Sequence, residues 1–87
     1  MARISNYFLE VLAAILPGRL TTNEIEEIAV KKSKIPRATF YIQFRKAKDN
    51  DYLVSSTNEN HEVIWSLSDK GKEFLENSFK NMFDSNG

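Results

Sequence analysis

The sequence predicts a mainly α-helical fold carrying one small β-hairpin, with elements in the order α-β-α-α-β-β-α. Three observations lead to it. Four stretches repeat apolar side chains at the i, i+3, i+4 spacing of amphipathic helices. One stretch, 52–67, is instead rich in β-branched and aromatic residues on either side of a polar turn. Pro17-Gly18 and Asp49-Asn50-Asp51 punctuate the chain between these elements.

The first helix is expected over residues 3–16. Ile4, Tyr7, Phe8, Val11, Leu12 and Ile15 form its apolar stripe, with Leu9 and Leu16 beyond it. Ser5 or an earlier residue opens the helix, and Pro17-Gly18 closes it, Gly supplying a left-handed cap and Pro barring continuation. Arg19-Leu20-Thr21 has room only for a turn or one short strand. Thr21-Thr22-Asn23-Glu24 then reads as a capping box, in which the Thr21 hydroxyl accepts from the Glu24 N–H and the Glu24 carboxylate from the Thr21 N–H. It opens a helix over 22–32 with a thin stripe of Ile25, Ile28 and Ala29. Glu24, Glu26 and Glu27 are expected to face outward near its positive end.

The third helix, 36–49, begins with Pro36 in its first turn, where a missing N–H is no loss. Phe40, Phe44 and Ala47 stack inward with Gln43 at their edge. Ala38, Tyr41, Ile42 and Arg45 lie opposite, flanked by Arg37, Thr39, Lys46 and Lys48. In the hairpin, Val63, Trp65 and Leu67 share one face and Glu62, Ile64 and Ser66 the other. Trp65 is expected in the core. Ser68 caps the last helix, 69–83, whose apolar band is Phe74, Leu75, Phe79, Met82 and Phe83.

At 87 residues the chain makes one domain, 1–87. It is formally neutral, with 12 Lys and Arg against 12 Asp and Glu, yet residues 31–48 hold seven of the cations and no acid. That local excess is an electrostatic footprint for a polyanion, set against the plainer reading of a solvated, Lys-rich face. With no Cys and a single His, His61, the chain has no disulfide, no thiolate and no zinc spacing. It has no phosphate-cradling glycine loop or nucleophile elbow either, so no enzyme activity, cofactor or metal is expected. The N-terminus lacks the order of a signal peptide, and the longest apolar run, Val11 to Leu16, falls far short of the ~20 residues that span a bilayer. A soluble protein without a membrane partner is expected, cytoplasmic or nucleoid-associated.

Two runs carry a family resemblance. Thr39-Phe40-Tyr41 through Phe44, and Ala47 through Asp51-Tyr52-Leu53-Val54, are similar to a third helix leading into a first wing strand. Trp65-Ser66-Leu67-Ser68-Asp69-Lys70-Gly71-Lys72-Glu73-Phe74-Leu75 is similar to the exit from a second wing strand into a last helix. Together they resemble the winged helix-turn-helix domains of small transcription regulators of the PadR-like and MarR-like sort, over nearly the whole chain. The sequence departs from that pattern at Asp51, where Gly is usual, and at the wing tip Asn58-Glu59-Asn60-His61-Glu62, which has two acids where such wings often carry Arg or Lys.

The resemblance implies that the third helix reads double-stranded DNA. Lys34, Arg37, Ala38, Thr39, Tyr41, Ile42, Arg45 and Lys46 are the expected contacts. Arg45 suits a guanine edge, Thr39 a phosphate, and Ile42 a thymine methyl, a neighbouring protein or plain solvent. Lys31, Lys32, Lys34, Lys46 and Lys48 can neutralise phosphates without reading sequence. The first and last helices carry more apolar surface than a monomer of this size hides. A homodimer through Tyr7, Leu9, Phe74, Phe79, Met82 and Phe83 is therefore expected, setting two recognition helices ~34 Å apart. No small-molecule pocket is evident. The alternative is a protein-interaction module of a transcription, replication or DNA-segregation assembly, a reading that the acidic wing favours.

Overall fold

The computed structural model describes residues 6–84, with side chains described as far as Lys80. Helix α1 spans Tyr7–Ile15, strand β1 Leu20–Thr21 and helix α2 Thr22–Glu26, which continues without a break as π-helical Glu27–Lys32. Helix α3 spans Arg37–Asp49, strands β2 and β3 Leu53–Thr57 and Val63–Leu67, and helix α4 Asp69–Asp84. The three strands form one antiparallel sheet in the order β1-β3-β2.

The side chain of Asn6 caps α1, its Oδ1 accepting the Leu9 N–H at 3.2 Å. Ser5, the expected opener, and Ile4 lie outside the described residues. Val11, Leu12 and Ile15 are fully buried, as their spacing predicts. Leu9 corrects the expectation: it is only 9% exposed and belongs to the core. Helix α1 touches α2, α3, α4 and β3, so more than one stripe of it is covered. Gly18, at φ +82°, then turns the chain, its N–H bonded to the Ile15 carbonyl at 2.8 Å.

The capping box at Thr21 and Glu24 forms with both bonds in place, at 2.9 and 3.2 Å. Beyond Glu26 the helix widens to i→i+5 bonding, with the Ser33 N–H on the Ile28 carbonyl at 3.1 Å. The wider turn lets Val30 pack on the core beside Ile25 and Ala29. Lys34, at φ +60°, reverses the chain, and the Ile35 N–H returns to the Ala29 carbonyl at 3.0 Å with the Ile35 side chain buried.

Pro36 is the residue before α3, at φ −55° and ψ 139°, one position earlier than expected. Its extended ψ keeps it outside the helix while its carbonyl accepts the Phe40 N–H at 2.9 Å. Phe40, Phe44 and Ala47 are buried. At the other end the Asp51 N–H bonds the Lys48 carbonyl and the Tyr52 N–H the Ala47 carbonyl, each at 3.0 Å. This is a Schellman closure with Asp51 at φ +63° in the place usually taken by Gly.

Leu67 joins the core and Trp65 packs against it, as the alternation predicts. Ile64, expected opposite the core residues, lies outside the core cluster but is still only 4% exposed, with Thr21 of β1 and Ser56 of β2 beside it. Val63, expected inward, sits at the turn end of the strand and is exposed. Ser68 ties the hairpin to α4: its Oγ donates to the Asp51 carbonyl at 2.7 Å and accepts the Gly71 N–H at 3.0 Å. Phe8, Tyr52 and Phe74 meet with ring centroids 4.9 to 5.8 Å apart, joining α1, the entry to β2 and α4. With α2 and α3 as the helix-turn-helix and β2-β3 as the wing, this is a winged helix fold.

Gly71 is required by that junction. A Cβ on it would lie 2.3 Å from the Tyr52 carbonyl oxygen, a backbone atom that cannot swing aside. Gly71→Ala should therefore destabilise the fold by about 1–3 kcal/mol or more, measured as a lower urea midpoint with an unchanged slope.

Candidate nucleic-acid interface

The buried stripe of α3 determines what its other side presents. Phe40 and Phe44, stacked on one another at 5.6 Å along the helix, are both buried, and Phe44 meets the Trp65 ring of the sheet edge-on at 5.2 Å, so this stripe is turned to the core. Trp65, expected in the core, is half-buried. Its Nε1–H donates to the Thr22 hydroxyl at 3.1 Å, linking β3 to the start of α2. A cleft of about 570 Å³ opens between α3 and the sheet, lined by Thr22, Tyr41, Ile42, Phe44, Arg45, Lys48 and Trp65.

Of the residues expected to contact DNA, Lys34, Arg37, Ala38, Tyr41, Ile42, Arg45 and Lys46 are exposed and Thr39 is half-buried. Ile42 is 64% exposed and Tyr41 43%, so neither is taken up by the protomer's own core. Four of the cations in this stretch differ from a simple array of free charges. Lys46 holds its ammonium 5.2 Å from the Phe8 ring, on the flank facing α1. Lys48 stands 5.5 Å from both Phe44 and Trp65 on the opposite flank. Arg37 donates its Nε–H to Glu26 Oε2 at 2.6 Å. Lys31 is also paired, with Glu27 at 3.1 Å, whereas Lys34 and Arg45 make no ion pair among the described residues.

Glu26 is the residue sequence reasoning misplaced. Expected to face outward with Glu24 and Glu27, its side chain is 18% exposed, against 68% for Arg37. The last α-helical turn of α2 leans it against the start of α3. Eleven positions separate it from Arg37, beyond the reach of any local spacing rule, and only its charge could have hinted at the pairing. Partial burial first, and then the Glu26 carboxylate, raise the Tyr41 pKa above its ordinary value.

The wing departs from the cationic character of α3. Asn58 Oδ1 accepts the N–H groups of Asn60 and Glu62 at 2.9 and 3.0 Å, and His61, at φ +63°, closes the turn on the Asn58 carbonyl at 3.1 Å. Glu59, His61 and Glu62 are exposed at its tip. Among the described residues no three His, Cys, Asp or Glu side chains converge as a metal site requires, and no helix is long and apolar enough to cross a membrane.

No family model and no curated protein matches this chain. Among solved structures it is similar to a transcriptional regulator from Clostridium thermocellum, Cth-833, with a TM-score of 0.72 and 17% identity over 97% of this chain and 92% of that one. It is also similar to a mutant form of ZitR from Lactococcus lactis, with a TM-score of 0.68 and 17% identity over 97% of this chain. The match spans 56% of the ZitR chain. These likenesses are of fold.

The Tyr41 environment has a pH signature. A phenol whose folded pKa is raised binds its proton more tightly in the native state, so its contribution is complete below about pH 10 and is lost as pH rises through the folded value. Phenolate absorbance should show one tyrosine titrating above the ordinary range. That component should be missing in Tyr41→Phe and move part of the way back in Glu26→Gln.

Proposed function

We propose that the chain binds double-stranded DNA as a homodimeric transcriptional regulator, with α3 in the major groove. The observation that carries this reading is the exposed face of Tyr41, Ile42 and Arg45. Ile42 and Arg45 are exposed, Tyr41 keeps 43% of its surface while its ring meets Phe40, and Lys34, Lys46 and Lys48 border the face. An α-helix of this kind fits the major groove, where an unpaired Arg can take a guanine edge in bidentate fashion and an apolar side chain a thymine methyl. Flanking cations supply the sequence-independent attraction to phosphate. The likeness in fold to the Clostridium thermocellum regulator supports the same reading.

A second copy is the economical partner for α1 and α4. Phe79 is exposed on α4, and Tyr7 and Phe74 are half-buried. Leu9 drops out of the expected interface because the core already uses it, and the side chains of Met82 and Phe83 lie outside the described residues. The competing reading, a module that docks on an acidic protein through α3, is favoured by the exposed Glu59 and Glu62 of the wing, which oppose phosphate.

Binding to fluorescent duplex at rising salt separates the two, since absence of binding at low salt ends the DNA reading. Arg45→Ala should cost roughly 1–3 kcal/mol on a preferred duplex and relax one base position. Lys34→Ala should weaken all duplexes alike and reduce the salt slope by about 1. For the dimer, light scattering should give twice the 10.0 kDa of one chain, and Phe79→Glu should return it to the monomer mass while the circular dichroism spectrum is kept.

A further inference from the structure

We infer that Glu26 is a positioning residue for DNA readout, a carboxylate on α2 that holds Arg37 of α3 in the orientation in which it meets the bases. The inference rests on the DNA-binding reading and assigns a role within it to a residue that is itself an acid.

The geometry is specific. Arg37 and Tyr41 are i and i+4 on α3 and share one side of its first turns. The Glu26 carboxylate engages Arg37 through Nε at 2.6 Å, which leaves the Nη donors of the guanidinium for another partner. Burial first, and then this same carboxylate, raise the pKa of the Tyr41 phenol one turn further along.

Stability does not explain the arrangement. An ion pair whose cation is 68% exposed contributes little to folding, and a carboxylate left 18% exposed has given up much of its hydration. Binding does explain it. Arg is a flexible side chain, and immobilising it at an interface subtracts from affinity, so a partner that fixes it beforehand favours complexes in which the fixed position is the correct one. Glu26 also repels phosphate, so it weakens contacts with DNA in general while supporting those to a matching base. It therefore exchanges overall affinity for preference.

The test is selection from a double-stranded pool with a randomised window, using the full chain and its Glu26→Gln, Glu26→Asp and Arg37→Ala variants, each first shown to melt within a few degrees of the wild type. Gln removes the charge but keeps the shape, and Asp keeps the charge but withdraws it by one methylene. The expected result is that wild type enriches a consensus, and that Gln and Asp both lose preference, by roughly ten-fold, at the position Arg37→Ala also loses. Glu26→Gln should meanwhile bind the unselected pool at least as tightly as wild type. If both Glu26 variants enrich the full consensus, the positioning role is overturned while DNA binding stands. Loss with Gln alone overturns it as well, because a charge effect would then suffice. If wild type retains no duplex, the DNA reading and this inference fall together.

Discussion

The packing of Phe40 and Phe44 between α1 and the sheet is the constraint on which the rest of the molecule depends. Burying each ring stabilises the fold by roughly 1.5–3 kcal/mol, and their burial beside Ala47, with Phe44 against Trp65, sets the rotation of α3 about its axis. Because a helix places residues on opposite sides at fixed angles, that rotation also decides what is left outside. Tyr41, Ile42 and Arg45 face outward because Phe40, Phe44 and Ala47 face in. Core and outer face are two readings of one periodicity.

A helix held in rotation must also be held in position, and here the turns do that with few glycines. Lys34, Asp51 and His61 all adopt left-handed backbone, each at a point where the chain reverses within one or two residues. An L-residue pays for that conformation in steric strain, which hydrogen bonds on either side offset. The Asp51 turn shows it best: two backbone bonds close α3, and the Ser68 hydroxyl bonds the Asp51 carbonyl from the far side. The same Ser68 starts α4, whose close approach to Tyr52 is what makes Gly71 irreplaceable. Third helix, wing and last helix thus meet at one junction.

Charge is organised over this frame by sign. Cations on the flanks of α3 rest on aromatic faces, Lys46 on Phe8 and Lys48 on Phe44 and Trp65, which steadies their stems without neutralising them. Acids sit at the far end of the wing and along α2. Glu27 pairs with Lys31 within its own helix, whereas Glu26 reaches across to α3, where it meets Arg37. A formally neutral chain therefore has one strongly cationic helix, and an approaching polyanion would meet it with little help from the wing.

The periodic elements could be read from the sequence because their causes are local. The apolar spacing of Val11, Leu12 and Ile15, the capping box at Thr21 and Glu24, the Ser68 cap and the inward face of α3 each depend on residues within a turn or two of one another. Where neighbours from elsewhere in the chain intervene, local rules gave a different answer. Leu9 is buried because several elements surround α1, and Ile64, on the face away from the core, is covered once β3 lies between β1 and β2. The exposed residues of α3 follow from sequence alone, but the company they keep does not: that Arg37 is held by a glutamate eleven positions earlier was decided by the docking of α2 against α3. Periodicity is a property of a segment, whereas an ion pair between segments exists only once both have been packed.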